Sequence, residues 1–124
     1  MPDTKKILII DDEIDLCLLL KEYFFRKKNF EVIVAHTLSE GKSLIDTIRP
    51  DILFLDNNLP DGVGWGNAPY FAQKFPGIYI ILISAFHPAL PDMPLGAKFR
   101  IIEKPITFSD LDKQFLNPGL GVID

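Results

Sequence analysis

The chain has 124 residues, of which 48% are hydrophobic and 24% charged, and its formal net charge at pH 7 is -4. This acidic balance argues against direct nucleic-acid binding, because phosphate backbones are bound by clustered Lys and Arg side chains. The chain has one cysteine, no visible secretory signal and no apolar stretch long enough to cross a membrane, so we expect a cytoplasmic protein without an internal disulfide or membrane association.

Five short apolar runs, separated by longer connections, are typical of the buried strands of a parallel sheet. They predict strands at residues 7–10, 31–35, 51–55, 78–83 and 99–102.

Amphipathic stretches predict two helices in the first half of the chain. Apolar residues recur at helical spacing over residues 13–27, where Cys17 fits as a small core residue. Thr37 and Glu40 form a capping box at the start of the second helix, and Pro50 ends it.

The second half of the chain is less regular. A loop rich in Asn, Gly and Pro at residues 57–66 precedes a short helix at 68–74. Between residues 85 and 98 prolines recur every third position, and each interior proline costs a helix about 3 kcal/mol. We therefore expect the helix of the fourth βα unit to be irregular or shortened. A final helix is predicted after a cap at Thr107 or Ser109.

The alternation of strands and helices predicts an α/β fold. Because crossovers between parallel strands are almost always right-handed, we expect a doubly wound, flavodoxin-like sheet of five parallel strands in the order 2-1-3-4-5. We expect one domain over residues 1–124, with a core from about 6 to 116 and a tail or the start of a linker at 117–124.

Polar side chains stand at the ends of four of the predicted strands. Asp11 and Asp12 follow the first strand, Asp56 the third, Ser84 the fourth and Lys104 the last. Ligands of open α/β sheets bind outside the carboxyl ends of the strands, so we expect these side chains to meet at one edge. Carboxylates suit a divalent cation, while a hydroxyl and an ammonium group suit phosphoryl oxygens.

The sequence around these strand ends resembles a known family. The motifs ILIIDDE, LFLDNNLPDG, ILISA and EKP occur in this order and are similar to those of the CheY-like receiver domains of two-component response regulators, over nearly the whole chain. The resemblance implies that Asp56 accepts a phosphoryl group from a histidine kinase. It also implies a Mg²⁺ ion held by Asp12, Asp56 and the backbone carbonyl of Asn58, with Asp11 assisting.

The resemblance further implies that Lys104 pairs with a phosphoryl oxygen, and that Ser84 donates a hydrogen bond to another only after phosphorylation. It supports a cis peptide bond between Lys104 and Pro105. The implied partners are a sensor histidine kinase or phosphotransfer protein upstream and a downstream protein or covalently linked output domain. Such a domain catalyses its own phosphorylation and dephosphorylation and is not a turnover enzyme.

Two features depart from the family pattern. Ile101 stands where typical members have an aromatic residue that moves with the Ser or Thr, and residues 85–98 occupy the place of a helix that usually helps to bind partners. These departures leave open an alternative, a degenerate receiver that acts as a phosphorylation-independent interaction module. The complete set of site residues favours phosphorylation over this alternative.

Two enzyme classes fit the sequence less well. Haloacid-dehalogenase-like phosphatases also combine an aspartyl nucleophile, Mg²⁺, a Ser or Thr and a Lys. Their nucleophile follows the first strand, and a general acid stands two positions later, where this chain has Asn58. A P-loop nucleotide enzyme is excluded because no Gly-rich loop ends in Lys-Ser or Lys-Thr.

The remaining polar and aromatic residues are interpreted structurally, with one exception. Asp61 is assigned to a turn, and His36 and His87 to loops or caps. Phe86 is the exception, because it lies where family members tune the attack of water on the acyl phosphate, and we expect its ring to slow self-dephosphorylation. The aromatic residues interpreted as a packing cluster are Trp65, Tyr70 and Phe71.

Overall fold

The computed structural model describes residues 4–86 and 88–115, so His87 and the tail predicted at 117–124 lie outside the described residues. The strands are β1 (Lys5–Ile10), β2 (Phe30–Ala35), β3 (Ile52–Asp56), β4 (Asn58–Leu59), β5 (Gly62–Val63), β6 (Tyr79–Ser84) and β7 (Lys98–Glu103). The helices are α1 (Ile14–Lys27), α2 (Leu38–Ile48), α3 (Ala68–Lys74) and α4 (Phe108–Phe115), and a 3-10 turn spans Gly64–Asn67. None of the described helices is long and apolar enough to cross a membrane.

Five of the strands form one parallel sheet in the order β2-β1-β3-β6-β7. This order is the predicted 2-1-3-4-5 arrangement of a doubly wound sheet, which is therefore confirmed. Strand β2 lies on one side of β1 and strand β3 lies on the other. The direction in which successive strands are added therefore reverses at β1. A separate antiparallel hairpin, β4 with β5, lies in the segment that the sequence analysis interpreted as a loop.

Side chains of the sheet alternate between two hydrophobic layers. On β1, Ile7 and Ile9 belong to the layer that includes residues of α1 and α4, whereas Leu8 and Ile10 belong to the layer that includes residues of α2 and α3. Because both faces are covered, β1, β3 and β6 consist almost entirely of buried apolar residues. Cys17 is buried in the first layer, as predicted.

The start of α2 is fixed by side chains from two segments. Thr37 Oγ1 accepts a hydrogen bond from the Glu40 amide at 3.0 Å, which confirms the predicted cap. Asp61 accepts hydrogen bonds from the amides of Leu38 and Ser39 at 2.7 and 2.9 Å, so it satisfies two free donors at the helix N-terminus. These two bonds lower the pKa of Asp61. The structural interpretation of Asp61 is thus confirmed, and the residue ties the β4–β5 segment to α2.

The connection from β6 to β7 differs from the other crossovers. Its described residues, 85–86 and 88–97, contain no helix, which confirms the irregular fourth unit predicted from the prolines. Large apolar side chains are exposed here, including Phe86, Leu90 and Leu95. Strand β7 is also partly exposed, with Ile101 at 49%.

Candidate functional site

The parallel register brings the polar strand ends to one edge of the sheet. Asp56 is the last residue of β3 and pairs with Ile83 of β6. Ser84 is the last residue of β6 and pairs with Glu103 of β7. Of the residues assigned to the site from the sequence, Asp11 and Lys104 directly follow a strand, whereas Asp56 and Ser84 end one.

Three carboxylates form the centre of the site. Asp11, Asp12 and Asp56 each offer an oxygen atom, and these atoms all lie within 4.8 Å of one another. Asp11 is fully buried and Asp56 is 3% exposed, while Asp12 faces solvent. An open cleft of about 570 Å³ gives access to this cluster, and its lining includes Asp12, Asp56, Asn58 and Lys104. All four carboxylate and carbonyl donors named from the sequence therefore come from residues at this edge, and Asn58 is the exposed residue of β4.

The ammonium group of Lys104 is the positive charge of the cluster. Its Nζ atom lies 3.1 Å from Asp11 Oδ2 and 3.2 Å from Asp56 Oδ1, and it also contacts Glu13 Oε1. The Lys104 side chain is only 13% exposed. The Lys104 amide donates to the Ser84 carbonyl oxygen at 2.9 Å, and the peptide bond to Pro105 is cis, as expected. Lys104 is therefore held at the site by its backbone as well as by its charge.

Burial and mutual repulsion perturb the carboxyl groups. Burial raises the pKa of Asp56 to about 6, the charge of Asp11 adds to this rise, and Lys104 opposes it. Burial also raises the pKa of Asp11, against the lowering effect of a hydrogen bond from the Glu13 amide. Burial alone would lower the pKa of Lys104, but its contact with Glu13 and the charges of the two aspartates raise it well above its usual value. The ammonium group therefore stays charged at neutral pH.

One buried oxygen of the cluster lacks a hydrogen bond. Asp11 Oδ1 accepts from the Glu13 amide at 2.8 Å, but Asp11 Oδ2 has no hydrogen-bond partner among the described residues. The Lys104 ammonium lies within ion-pair distance of Asp11 Oδ2, but the angle between them is not that of a hydrogen bond. A buried, unsatisfied carboxylate oxygen beside two further carboxylates fits a hard divalent cation such as Mg²⁺.

Ser84 lies at the neighbouring strand end with its hydroxyl turned to the backbone. Its side chain is buried, and its Oγ atom accepts a hydrogen bond from the Phe86 amide at 3.1 Å. The Phe86 ring is 69% exposed and is not among the residues that line the cleft. The ring therefore does not cover the acidic cluster in this structure, contrary to the position expected for a shield against water.

A set of contacts behind Asp56 was missed by the sequence analysis. The Trp65 indole Nε1 donates to the Ile83 carbonyl oxygen at 3.1 Å, and the Gly64 amide donates to the Asn57 carbonyl oxygen at 2.8 Å. A β-carbon added to Gly64 would lie 1.9 Å from the carbonyl oxygen of Asp56. Only glycine permits this close approach, so the hairpin and the 3-10 turn position the backbone of Asp56.

The aromatic cluster predicted after Asp56 is present only in part. Trp65 and Phe71 are buried in the same core layer, whereas Tyr70 is 51% exposed and touches Phe71 from outside. The one sequence signal for the 3-10 turn was the Gly-Trp-Gly run at 64–66, in which Gly64 allows the backbone to pass close to β3.

Two residues from other elements support the backbone of Asp11. His36 Nδ1 lies 3.0 Å from the Asp11 carbonyl oxygen, and the Cys17 thiol contacts the same oxygen at 3.5 Å. Burial raises the pKa of the Cys17 thiol to about 11, so the thiol is neutral at physiological pH. Both residues hold the strand end and neither belongs to the acidic cluster, in agreement with their structural interpretation.

The chain was compared with known proteins. The family model of the response regulator receiver domain matches residues 7–115. Response regulator protein PilR of Pseudomonas aeruginosa is 30% identical over 110 residues, which are 86% of this chain and 24% of that protein. Transcriptional regulatory protein DpiA of Escherichia coli strain K12 is 34% identical over 59 residues, which are 47% of this chain and 26% of that protein. The chain thus spans about a quarter of the length of these curated relatives.

Solved structures agree with the fold. The CheY-like response regulator receiver domain protein from Methanospirillum hungatei superposes with a TM-score of 0.77 at 24% identity, covering 96% of this chain and 95% of that one. Vibrio cholerae chemotaxis protein CheY4 superposes with a TM-score of 0.74 at 19% identity, covering 91% and 97%. Since the family model covers most of the chain, this protein belongs to the response regulator receiver domain family of two-component systems.

Proposed function

We propose that this chain is a phosphoacceptor domain that takes a phosphoryl group onto Asp56 in a Mg²⁺-dependent reaction. The observation that carries the proposal is the contact of buried Asp56 with the Lys104 ammonium beside the carboxylates of Asp11 and Asp12. The proposed donor is the phosphohistidine of a sensor histidine kinase or a phosphotransfer protein. The chain would serve as a cytoplasmic signalling domain.

The chemistry follows from the placement of the groups. A carboxylate oxygen of Asp56 forms a bond to phosphorus while the bond between phosphorus and the donor histidine nitrogen breaks. Because the other ring nitrogen of the donor carries a proton, the products are an acyl phosphate and a neutral imidazole. Phosphoryl transfer depends more on positioning and charge neutralisation than on a strong nucleophile. Asp56 is positioned by β3 and by the close packing of Gly64. Burial raises the pKa of Asp56 and so favours its protonated form. A nearby cation acts in the opposite direction and favours the ionised, reactive form.

The carboxylates of Asp11, Asp12 and Asp56 and the backbone carbonyl of Asn58 would hold Mg²⁺. When bound, the ion would neutralise charge on the carboxylates and on the phosphoryl oxygens. The donor set fits this use because Asp11 Oδ2 is buried without a hydrogen-bond partner. Water attack on the acyl phosphate would return the domain to its starting state, so the chain would complete a signalling cycle without being a turnover enzyme.

Two side chains would distinguish the phosphorylated state from the unphosphorylated one. Lys104 would pair with a phosphoryl oxygen instead of the carboxylate oxygen of Asp56. Ser84 would exchange its bond from the Phe86 amide for a contact with the phosphoryl group. Because these contacts form only in the phosphorylated state, they stabilise one conformation of the domain over the other. A partner that binds the two conformations with different affinity would respond to phosphorylation. The output would be a downstream protein or a linked domain.

A phosphorylation-independent interaction module is the second candidate. Ile101, which is 49% exposed, and the irregular described residues 85–86 and 88–97 favour it, because neither provides the aromatic side chain or the helix that family members use for signalling. The module would bind its partner equally well with and without phosphorylation. The complete acidic site favours the phosphoacceptor.

The two candidates separate in one experiment. The parent protein and Asp56→Asn are incubated with acetyl phosphate, with either MgCl₂ or EDTA, and their intact masses are measured. The phosphoacceptor predicts the gain of one phosphoryl group by the parent in MgCl₂ alone. No gain under any condition, together with measurable Mg²⁺ binding, would favour the interaction module.

A further inference from the structure

Glu13 is the one partner of Lys104 that has no place in the phosphoryl-transfer chemistry. Its side chain is 57% exposed and lies at the N-cap of α1, beside Asp11 and Asp12. The N-cap position often carries a side chain that bonds to the helix backbone, but the Glu13 side chain makes no such bond. Its carboxylate contacts the Lys104 ammonium instead.

Lys104 and a divalent cation require the same carboxylates. The ammonium lies 3.1 Å from Asp11 Oδ2 and 3.2 Å from Asp56 Oδ1, and both residues belong to the set that would hold Mg²⁺. Two cations cannot share these oxygens without strong repulsion, so binding of the ion requires Lys104 to move. If the Lys104 side chain stayed 13% exposed but lost its anionic partners, its buried charge would be unfavourable. This cost would oppose the binding of the divalent cation.

We propose that Glu13 is a positioning residue that retains Lys104 when a divalent cation takes its place on Asp11 and Asp56. Three carboxylates share the ammonium in the metal-free protein, and Glu13 is its one remaining partner in the loaded state. The contribution of the Glu13–Lys104 pair is therefore larger with the cation bound. This inference rests on the proposed Mg²⁺-dependent function, because it concerns the same acidic cluster.

The position of Glu13 also keeps Lys104 available for the next step. The Lys104 side chain, held by Glu13 in the lining of the same cleft, remains near the position where a phosphoryl group would be added to Asp56. Because Glu13 is mostly exposed, the ion pair is weak enough to exchange. Glu13 thus adjusts the affinity of the site for the cation without taking part in bond formation.

A double-mutant cycle with a charge control tests the proposal. Asp15 is the matched control because it is an exposed acid of α1 that lines the same cleft, while the described ion pairs of Lys104 are to Asp11, Glu13 and Asp56. MgCl₂ titrations followed by amide NMR shifts give dissociation constants for the parent, Glu13→Gln, Asp15→Asn and Lys104→Met. The same titrations are made for Glu13→Gln and Asp15→Asn in the Lys104→Met background.

We expect Glu13→Gln to weaken Mg²⁺ binding about two- to fivefold more than Asp15→Asn does, which corresponds to an exposed ion pair. In the Lys104→Met background the two substitutions should have equal effects, because no ammonium group remains to be retained. Lys104→Met itself should tighten binding, since it removes the competing cation.

Two results would overturn the inference. Equal effects of Glu13→Gln and Asp15→Asn in the parent would show that Glu13 acts only through its charge, and an excess effect that persists without Lys104 would show that it acts on the ion directly. A failure of the proposed function looks different. If the acidic cluster is not a Mg²⁺ site, no variant binds the ion, and if only phosphorylation fails, the parent binds Mg²⁺ but gains no mass with acetyl phosphate. Circular dichroism spectra of all variants identify any loss of folding.

Discussion

The acidic cluster and the described part of the connection between β6 and β7 differ in how many contacts hold their residues in place. Each site residue is held by several elements: Asp56 by β3 and Gly64, Asp11 by His36 and Cys17, and Lys104 by three carboxylates. The described part of the connection has no helix and exposes Phe86, Leu90 and Leu95. The difference indicates that the chemistry of the site requires one geometry, whereas the segment next to it is free to differ from the family pattern.

The largest effect is expected from Gly64→Ala. The added methyl group would lie 1.9 Å from the Asp56 carbonyl oxygen, so the backbone must shift, and we expect a loss of about 3 kcal/mol in the free energy of unfolding and much slower phosphorylation. Urea denaturation and the rate of mass gain with acetyl phosphate measure these two effects. Gly66→Ala is the matched control, because a β-carbon there has no atom within 4 Å. Equal behaviour of the two variants would contradict the proposed positioning role of Gly64.

The next effect concerns pH. The pKa of Asp56 is about 6 in the folded protein, against 3.8 for the unperturbed group, so its ionisation opposes folding above pH 6. Without divalent cations, Asp56→Asn should therefore be about 1–3 kcal/mol more stable than the parent at pH 8. The difference should shrink as the pH falls from 6 towards 4 and vanish only below both pKa values, where Asp56 is protonated in the folded and the unfolded state.

Urea denaturation in EDTA at pH 8, 6 and 4.5 measures this dependence. Asp15→Asn serves as the control, since it makes the same substitution at an exposed carboxylate of α1. A stability difference between Asp56→Asn and the parent that is independent of pH would argue against a buried, perturbed carboxyl group at position 56.

A smaller effect is expected from Phe86→Ala. The ring is 69% exposed and does not line the cleft, so its removal should change the rate of self-dephosphorylation by no more than about twofold. The loss of the phosphoryl group is followed by intact mass after the donor is removed. Markedly faster loss would mean that the ring covers the acyl phosphate after phosphorylation, as the sequence analysis expects.

The smallest effect is expected from Leu95→Ser. This side chain is fully exposed in the irregular connection, and a substitution there should change the free energy of unfolding by less than about 0.5 kcal/mol. Phosphorylation with acetyl phosphate should proceed at the rate of the parent. A large loss of stability on urea denaturation would show that the connection is packed as firmly as the site, and would remove the contrast between the two regions.

Sequence reasoning predicted the regular parts of the molecule because their signals are local. The apolar runs identified the five sheet strands, and the prolines after Ser84 identified the absence of a helix. The position of the polar strand ends followed from the parallel arrangement alone. Predicted strand limits differed from the structure by a residue or two, as at β3, which ends on Asp56 itself.

The parts that were missed depend on contacts between distant residues. The β4–β5 hairpin has strands of two residues, too short for an alternating pattern to show. The contact of Glu13 with Lys104 joins residues 91 positions apart, and nothing in the local sequence of either indicates it. The local sequence likewise does not indicate the bond from the Phe86 amide to Ser84 or the 69% exposure of the Phe86 ring.

Locating the phosphoryl group on the chain tests the central claim most directly. Borohydride reduces an aspartyl phosphate to homoserine, which fragment masses assign to a single residue after proteolysis. In the parent treated with acetyl phosphate and MgCl₂, we predict homoserine at position 56 alone, and none in EDTA or in Asp56→Asn. Homoserine at Asp11 or Asp12, or its absence from a chain that binds Mg²⁺, would contradict the assignment of Asp56 as the phosphoacceptor.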